Sequence, residues 1–397
     1  MIAAVVFVAL TSPPLPAPYG GVRSGSFITT LGNETVAVES YTRTGDRIEG
    51  DIVLRVPGTT RYHYRLNFAK DGSVRRSEFT VKPLGAPKVD ELRRLNLEFE
   101  RDTLRLVSVV RGETQIAERP AVAPANVLFL GGYASSHGLY GSFGMYEHLI
   151  GRLGVSDGGI TSLQTLSPDT GKVATRRFRR VSSDTVDIDF FKMAWTRVTL
   201  DPEGRILSAD ATATTERTLT KRVDFMEIDR LEKEYLALDK AGKGIGEASP
   251  NVATRASLDG VSIILKYGSP RLRGRNGVLK ALVASGVVWR TGANEATTID
   301  FDRDLTFGDS RLPAGRYSLW TFATSKGADL IINKETGQWG TAYRKGQDLL
   351  RLPLTTTPLD APVEDFVIRI VKGDAGWELR IEWDTFRWSM PVSPVSR

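Results

Sequence analysis

The sequence predicts a mainly β protein: an N-terminal antiparallel meander sheet with crossing helices, then a C-terminal β-sandwich or jelly-roll-like domain. Three observations carry this. Apolar and polar residues alternate with period two along much of the chain, as in Tyr62 to Phe68 (YHYRLNF). Turn dipeptides separate these runs, among them Gly45-Asp46, Pro57-Gly58 and Asp71-Gly72. One long segment, Asp224 to Lys240, carries a clear helical stripe.

The chain opens on an apolar run, Ile2 to Leu10 (IAAVVFVAL), followed by TSPPLPAPYGG. This resembles the apolar centre and breaker-rich cleavage region of a secretory signal, placed at residues 1–18. A start codon slightly upstream would supply the basic residues that no position before the run provides. The run is too short for a bilayer-spanning helix, which takes about 20 residues, and no later segment is apolar enough for one. The expectation is a soluble, exported bacterial protein, periplasmic or extracellular.

From Ser26 the meander begins. Glu34 to Arg43, Arg47 to Arg55, Tyr62 to Phe68 and Ser73 to Val81 all read as strands with one polar face. A helix is expected after Pro87, through Val89, Leu92, Leu95 and Leu97, and a strand resumes at Thr103 to Arg111. Residues 124–154 break the alternation. There Tyr140, Phe143, Tyr146, Leu149, Ile150 and Leu153 suit one helical face, interrupted by glycines, so one broken or two short helices should cross the sheet. Tyr62 to Phe79 aligns loosely with Ala194 to Ala211, matching Arg65 to Arg197 and Gly72 to Gly204, which raises an internal repeat. The helix at Asp224 to Lys240 should bury Phe225, Ile228, Leu231, Tyr235 and Leu236. Glycines 242, 244 and 246 end it and mark a boundary between an antiparallel β-rich domain, 19–245, and a second domain, 249–390.

The second domain offers short strands at Val261 to Tyr267, Thr297 to Phe301, Gly315 to Phe322, Asp329 to Asn333, Phe366 to Val371, Trp377 to Trp383 and Phe386 to Met390. Only Val278 to Ser285 could turn as a helix. Four stretches here, Tyr267 to Arg275 (YGSPRLRGR), Val288 to Thr297 (VWRTGANEAT), Leu312 to Leu319 (LPAGRYSL) and Ile332 to Gly340 (INKETGQWG), resemble domain-of-unknown-function family 2911. The resemblance spans about 249–390, with the motifs in the family's order. It implies a bacterial module carried behind export signals, and it implies no chemistry. The N-terminal region resembles no named family.

Composition narrows the function classes. The net charge of +6 is spread among both signs, whereas nucleic-acid binding calls for a concentrated basic stripe. With no cysteine, disulfides, thiol catalysis and cysteine-held zinc are excluded. His63, His137 and His148 lack paired metal-ligand spacing. Asp300, Asp302 and Asp304 begin like a calcium loop, but Leu305 and Arg311 stand where Gly and Glu belong. Gly141-Ser142-Phe143-Gly144 falls short of a nucleophile elbow because Tyr140 replaces its first glycine. No cofactor motif appears.

The remaining candidates are ligand-binding loops. Arg271, Arg273, Arg275, Arg290, Asn294 and Glu295 could form a cleft for a carboxylate, phosphate or acidic sugar through guanidinium forks, and equally could pin a long loop through an Arg290–Glu295 pair. Asn333, Gln338 and Trp339 would join them if the loops converge. Six of seven tryptophans lie in this domain, which reads as core first; Trp383 or Trp388, near a turn, is the expected exposed ring. The leading expectation is a non-catalytic protein binding a glycan, an anionic small molecule or an envelope component. The alternatives are a carrier of a lipid or apolar molecule on the N-terminal sheet, and a hydrolase with a carboxylate/His site.

Overall fold

A computed structural model describes residues 22–85, 93–100, 103–110, 112–120, 142–153, 158–166, 173–190, 194–214, 217–275, 277–278 and 286–395. The signal-like run, Val89, Leu92, His137 and most of Val278 to Ser285 lie outside the described residues. The chain divides into two compact units, Met1–Gly246 and Glu247–Arg397.

The first unit is built on one fourteen-stranded antiparallel sheet. Its strands are β1 (Val22–Leu31), β2 (Glu34–Thr44), β3 (Arg47–Leu54), β4 (Thr60–Phe68), β5 (Val74–Pro83), β6 (Arg93–Glu100), β7 (Thr103–Val110), β8 (Glu113–Pro120), β9 (Ile160–Leu166), β10 (Val173–Ser182), β11 (Thr185–Phe190), β12 (Ala194–Leu200), β13 (Ile206–Asp210) and β14 (Thr218–Val223). In space they run β8 back to β1, then β14 back to β9. The first strand therefore pairs with the last at the centre, where the Thr29 and Thr220 hydroxyls meet at 2.9 Å. The chain between β8 and β9 joins opposite edges of the sheet and contributes helix α1 (Phe143–Gly151), which packs on β2 and β3. An open sheet this wide must twist and curl.

Alternation sends apolar side chains to the α1 face. Phe27, Ile48, Ile52, Tyr64, Leu66, Phe79, Leu97, Phe178, Ile188 and Val198 are all buried there. The opposite face carries rows of ion pairs. Arg65 sits between Glu49 and Glu78, and Asp187 between Arg179 and Arg197. Helix α2 (Ile228–Lys240) covers part of that face, packing Ile228, Leu231 and Tyr235 on Ile28, Val38 and Val53. The hairpins aligned in the sequence become β4–β5, in the β1–β8 meander, and β12–β13, in the β9–β14 meander, of the same sheet.

Two local expectations are corrected. Leu95 and Leu97 belong to strand β6, not to a helix, because pairing with β5 and β7 buries the alternating set Leu95 and Leu97. Phe225 precedes α2 and is 78 % exposed rather than buried.

The second unit comprises β15 (Asn251–Leu258), β16 (Val261–Gly268), β17 (Val288–Trp289), β18 (Ala293–Phe301), β19 (Leu305–Phe307), β20 (Ser310–Leu312), β21 (Gly315–Thr324), β22 (Gly327–Asn333), β23 (Asp348–Gly373) and β24 (Gly376–Pro394). They form an antiparallel sheet ordered β15-β16-β18-β21-β22-β23-β24-β19-β20, with β17 on β21. β15 also contacts β23 and β24, so the sheet folds back on itself in a sandwich-like layer around a large apolar core, with a second, smaller cluster of Ala296, Trp320 and Ile331. Trp320, Trp383 and Trp388 are buried and Trp289 and Trp377 pack against the core. The exposed ring is Trp339, not Trp383 or Trp388, because both of those face inward from the long β23–β24 hairpin.

Candidate functional site

An open groove of about 980 Å³ lies on the ion-paired face of the first unit, between β2–β4 and the start of α2. Three cross-strand neighbours line its floor: Ser40 opposes Asp51, and Asp51 opposes His63. The His63 ring lies between two carboxylates, 3.2 Å from Asp51 and 3.3 Å from Glu49. Arg61 donates to Asp51 at 2.8 Å and to Asp229 and Glu232 at 2.5 and 3.0 Å, tying the first turns of α2 to β4. Burial raises the Asp51 carboxyl, but hydrogen bonds from His63 and Arg61 outweigh it and hold the group below the usual carboxylate range. Asp51 stands between the hydroxyl and the imidazole, so the row lacks the order of a Ser-His-Asp triad, in which the imidazole meets the hydroxyl. Phe225 and Met226 form an apolar lip.

On the other face a buried polar cluster seats α1. Ser142, at φ 67°, offers no side-chain cap. Glu39 on β2 caps the helix instead, accepting from the Phe143 and Gly144 N–H groups at 2.5 and 3.2 Å and from the Tyr64 hydroxyl at 2.6 Å. Burial pushes its carboxyl up to about 7 against the pull of these donors. Glu147 accepts from Tyr41, Arg222 and the Ile206 N–H. His148 lies about 100° further round the helix and has different partners. Its Nε2 is 2.8 Å from the Gly72 carbonyl, which requires a proton there and leaves Nδ1 to accept from Arg43 at 3.1 Å. Burial and the nearby Arg43 and Arg152 charges push its basicity down to about 3. Sequence reasoning missed this cluster. Its one local signal is β2, where Val36, Ala37, Val38 and Glu39 are all buried and alternation fails.

In the second unit the two candidate loops do converge. Glu295 bridges to Trp339, the Ala296 N–H donates to the Gln338 carbonyl at 3.1 Å, and the Gly340 N–H donates to the Asn294 carbonyl at 3.0 Å. Any Cβ at Gly340 would lie 1.9 Å from Arg290 Cδ, so the Arg290 stem is laid across a position only glycine can fill.

Residues 249–392 match the family model described as Protein of unknown function (DUF2911). No curated protein matches the chain. A solved DUF1089 family protein from Pseudomonas aeruginosa is similar at 15% identity over 44% of this chain and 90% of that one, with a TM-score of 0.30.

Within the DUF2911 region most motif side chains bond internally. Asn294 donates to the Ser249 carbonyl at 3.0 Å, and Asn333 to the Arg344 carbonyl and to Asp348. Gln338 donates to Ser318 and to the Glu335 carbonyl. Arg273 is buried at φ 53°, with its N–H on Glu364, and Arg275 turns back on the Leu272 carbonyl. Arg271 pairs with Asp365 at 2.7 Å and is half exposed. Asp300 and Asp304 pair with Arg316 and Arg311, and Asp302 accepts from the Ser262 N–H. Among the described residues no helix is long and apolar enough to cross a membrane.

Proposed function

We propose that this is an exported, non-catalytic binding protein whose ligand seat is the groove between β2–β4 and α2, and that the ligand is a saccharide. The groove itself carries the reading. Its volume of about 980 Å³ suits a small-ligand site. Its Phe225 ring offers a face on which a sugar's C–H groups can lie, beside a row of donors and acceptors on Glu49, Asp51, Arg61 and His63. Those groups are already held by one another, so little side-chain freedom is lost on binding. A glycan binding screen tests it: Phe225→Ala should cost roughly tenfold or more in affinity with the melting temperature unchanged, since the ring is exposed. Retained affinity would overturn the assignment. Export is supported by the apolar run at Ile2 to Leu10, and cell fractionation with N-terminal sequencing checks it.

A second reading, a carrier of an apolar molecule, is favoured by the width of the apolar α1 face. Its apolar side chains run from Leu97 on β6 to Phe178 on β10. Native mass spectrometry of the purified protein should then show a co-purifying lipid, and a clean apo spectrum rejects it. The internal bonding of Asn294, Asn333 and Gln338 argues that the DUF2911 motifs build loops first, with Trp339, Arg271 and Glu295 among their solvent-facing members.

A further inference from the structure

We infer that β8 is a docking edge, at which two copies of this chain pair their β8 strands antiparallel about a two-fold axis through Ile116. This edge lies outside the saccharide groove and does not depend on that reading. Among the described residues β8 bonds to β7 alone and ends the fourteen-stranded sheet. It presents an eight-residue edge of main-chain groups, the kind of edge that folded proteins cover or pair. Glu113, Thr114, Gln115, Ile116 and Glu118 are all exposed, Ile116 at 57 %. One cross-strand row on the ion-paired face changes character as it reaches this edge. Arg65 is bonded to both Glu49 and Glu78, and after Asn96 the row ends on Val107 and Ile116. Ionic side chains thus give way to apolar ones at the rim, where a further strand would take them out of water.

Register selects the partner. Val110 faces Glu113 with two positions between them, so they form the hydrogen-bonded pair that closes the hairpin. Bonded and non-bonded pairs alternate from there, which turns the N–H and C=O groups of Thr114, Ile116 and Glu118 to the free edge. With the axis at Ile116, that outward set meets itself: Thr114 opposes Glu118 of the second copy, and Ile116 opposes its own equivalent. The other set then places Gln115 opposite Ala117 and Glu113 opposite Arg119, so residues of opposite charge stand at both ends of the pairing. An axis one residue earlier sets Glu113 against Ala117, and one residue later carries it past the end of β8. The sheet's other edge, β9 (ITSLQTL), has no charge to answer Glu113, Glu118 or Arg119. The partner that fits β8 best is therefore a second β8. Main-chain bonds supply the affinity and alternate side chains the register. The apolar face under α1 runs on across the axis, because a two-fold perpendicular to a sheet keeps like faces together.

The full chain has no cysteine, so introduced thiols report the register directly. Gln115 and Ala117 of the second copy form a non-hydrogen-bonded pair, with Cα atoms about 4.5 Å apart, within disulfide reach. Oxidising Gln115→Cys mixed with Ala117→Cys should give a covalent dimer, and either variant alone far less. Sedimentation equilibrium should show a wild-type dimer that dissociates on dilution. Ile116→Lys sets two ammonium groups at the axis and loses the apolar contact. It should raise the dissociation constant roughly tenfold or more, with an unchanged circular dichroism spectrum because the side chain is exposed. Glu113→Arg should weaken the dimer, and Glu113→Arg with Arg119→Glu should restore it, which tells a lost contact from a variant that misfolds. A wild type that stays monomeric throughout the dilution series overturns the proposal. A dimer whose mixed thiols crosslink no better than each alone places the contact elsewhere and overturns it as well.

Discussion

Glu39 and His148 sit in one buried cluster and respond to protons in opposite directions. Glu39 moves from its ordinary 4.5 up to about 7, so the folded state holds a proton that the unfolded chain has lost between those values. Its contribution to stability is present below pH 4.5 and declines as pH rises to 7. His148 falls from 6.5 to about 3, so the unfolded chain holds the extra proton. Its contribution is complete above pH 6.5 and is lost as pH falls towards 3. From pH 4.5 to 6.5 the two slopes cancel, and this pair leaves stability flat. Single substitutions should unmask each slope in urea titrations. His148→Gln should lose stability as pH rises from 4.5 to 7, by about 3 kcal/mol. Glu39→Gln should begin losing stability as pH falls below 6.5. Parallel profiles for both variants and wild type would refute the pairing. Neither residue announced this role in the sequence. Glu39 gains its partners from residues 143 and 144, about a hundred positions away, and no local pattern encodes that distance.

Helix α1 shows how far an element can be read. Its apolar face was legible from Phe143, Tyr146, Leu149 and Ile150, all buried as their spacing implies. A helix of nine residues is marginal alone, and what makes it stable is tertiary. Gly144 lets the backbone sit directly on two aromatic side chains: a Cβ there would lie 2.7 Å from the Tyr41 ring and 2.9 Å from the Tyr64 hydroxyl. Gly144→Ala should therefore cost about 1–3 kcal/mol by overpacking. Gly346→Ala, at a position with open space, should change stability little, and thermal melting of the two variants checks the contrast. Gly144, one of the glycines that weakened the helical pattern in the sequence, is thus what permits the docking. In the DUF2911 region, Arg290→Ala with Asn294→Ala should lower the melting temperature, because both side chains brace the loop at Gly340 and Ser249. An unchanged melt would restore these residues as candidates for ligand contact.

Across the molecule, strand content was legible because alternation and turn dipeptides are local. Sheet order was not. β1 lacks a strong pattern, with Ser24, Gly25 and Ser26 at its start, and nothing near it points to β14. The convergence of the Arg290–Glu295 and Asn333–Trp339 loops was posed by the motifs but decided by backbone bonds between β18 and residues 338–340. The groove escaped notice for a related reason, since Ser40, Asp51 and His63 become neighbours only through the β2–β3–β4 register.

The β1–β14 seam also sets a clock. Thr29 and Thr220 are 191 positions apart. At a synthesis rate of roughly 5–20 residues per second, β1 emerges about 10–40 s before its central partner exists. Pairings this remote also close slowly once both strands are present. For all of that interval β1 has no central partner, and the sheet cannot close across its middle. If the chain is secreted, this is the period in which it can still be threaded through a membrane channel, and the seam is the step that ends it.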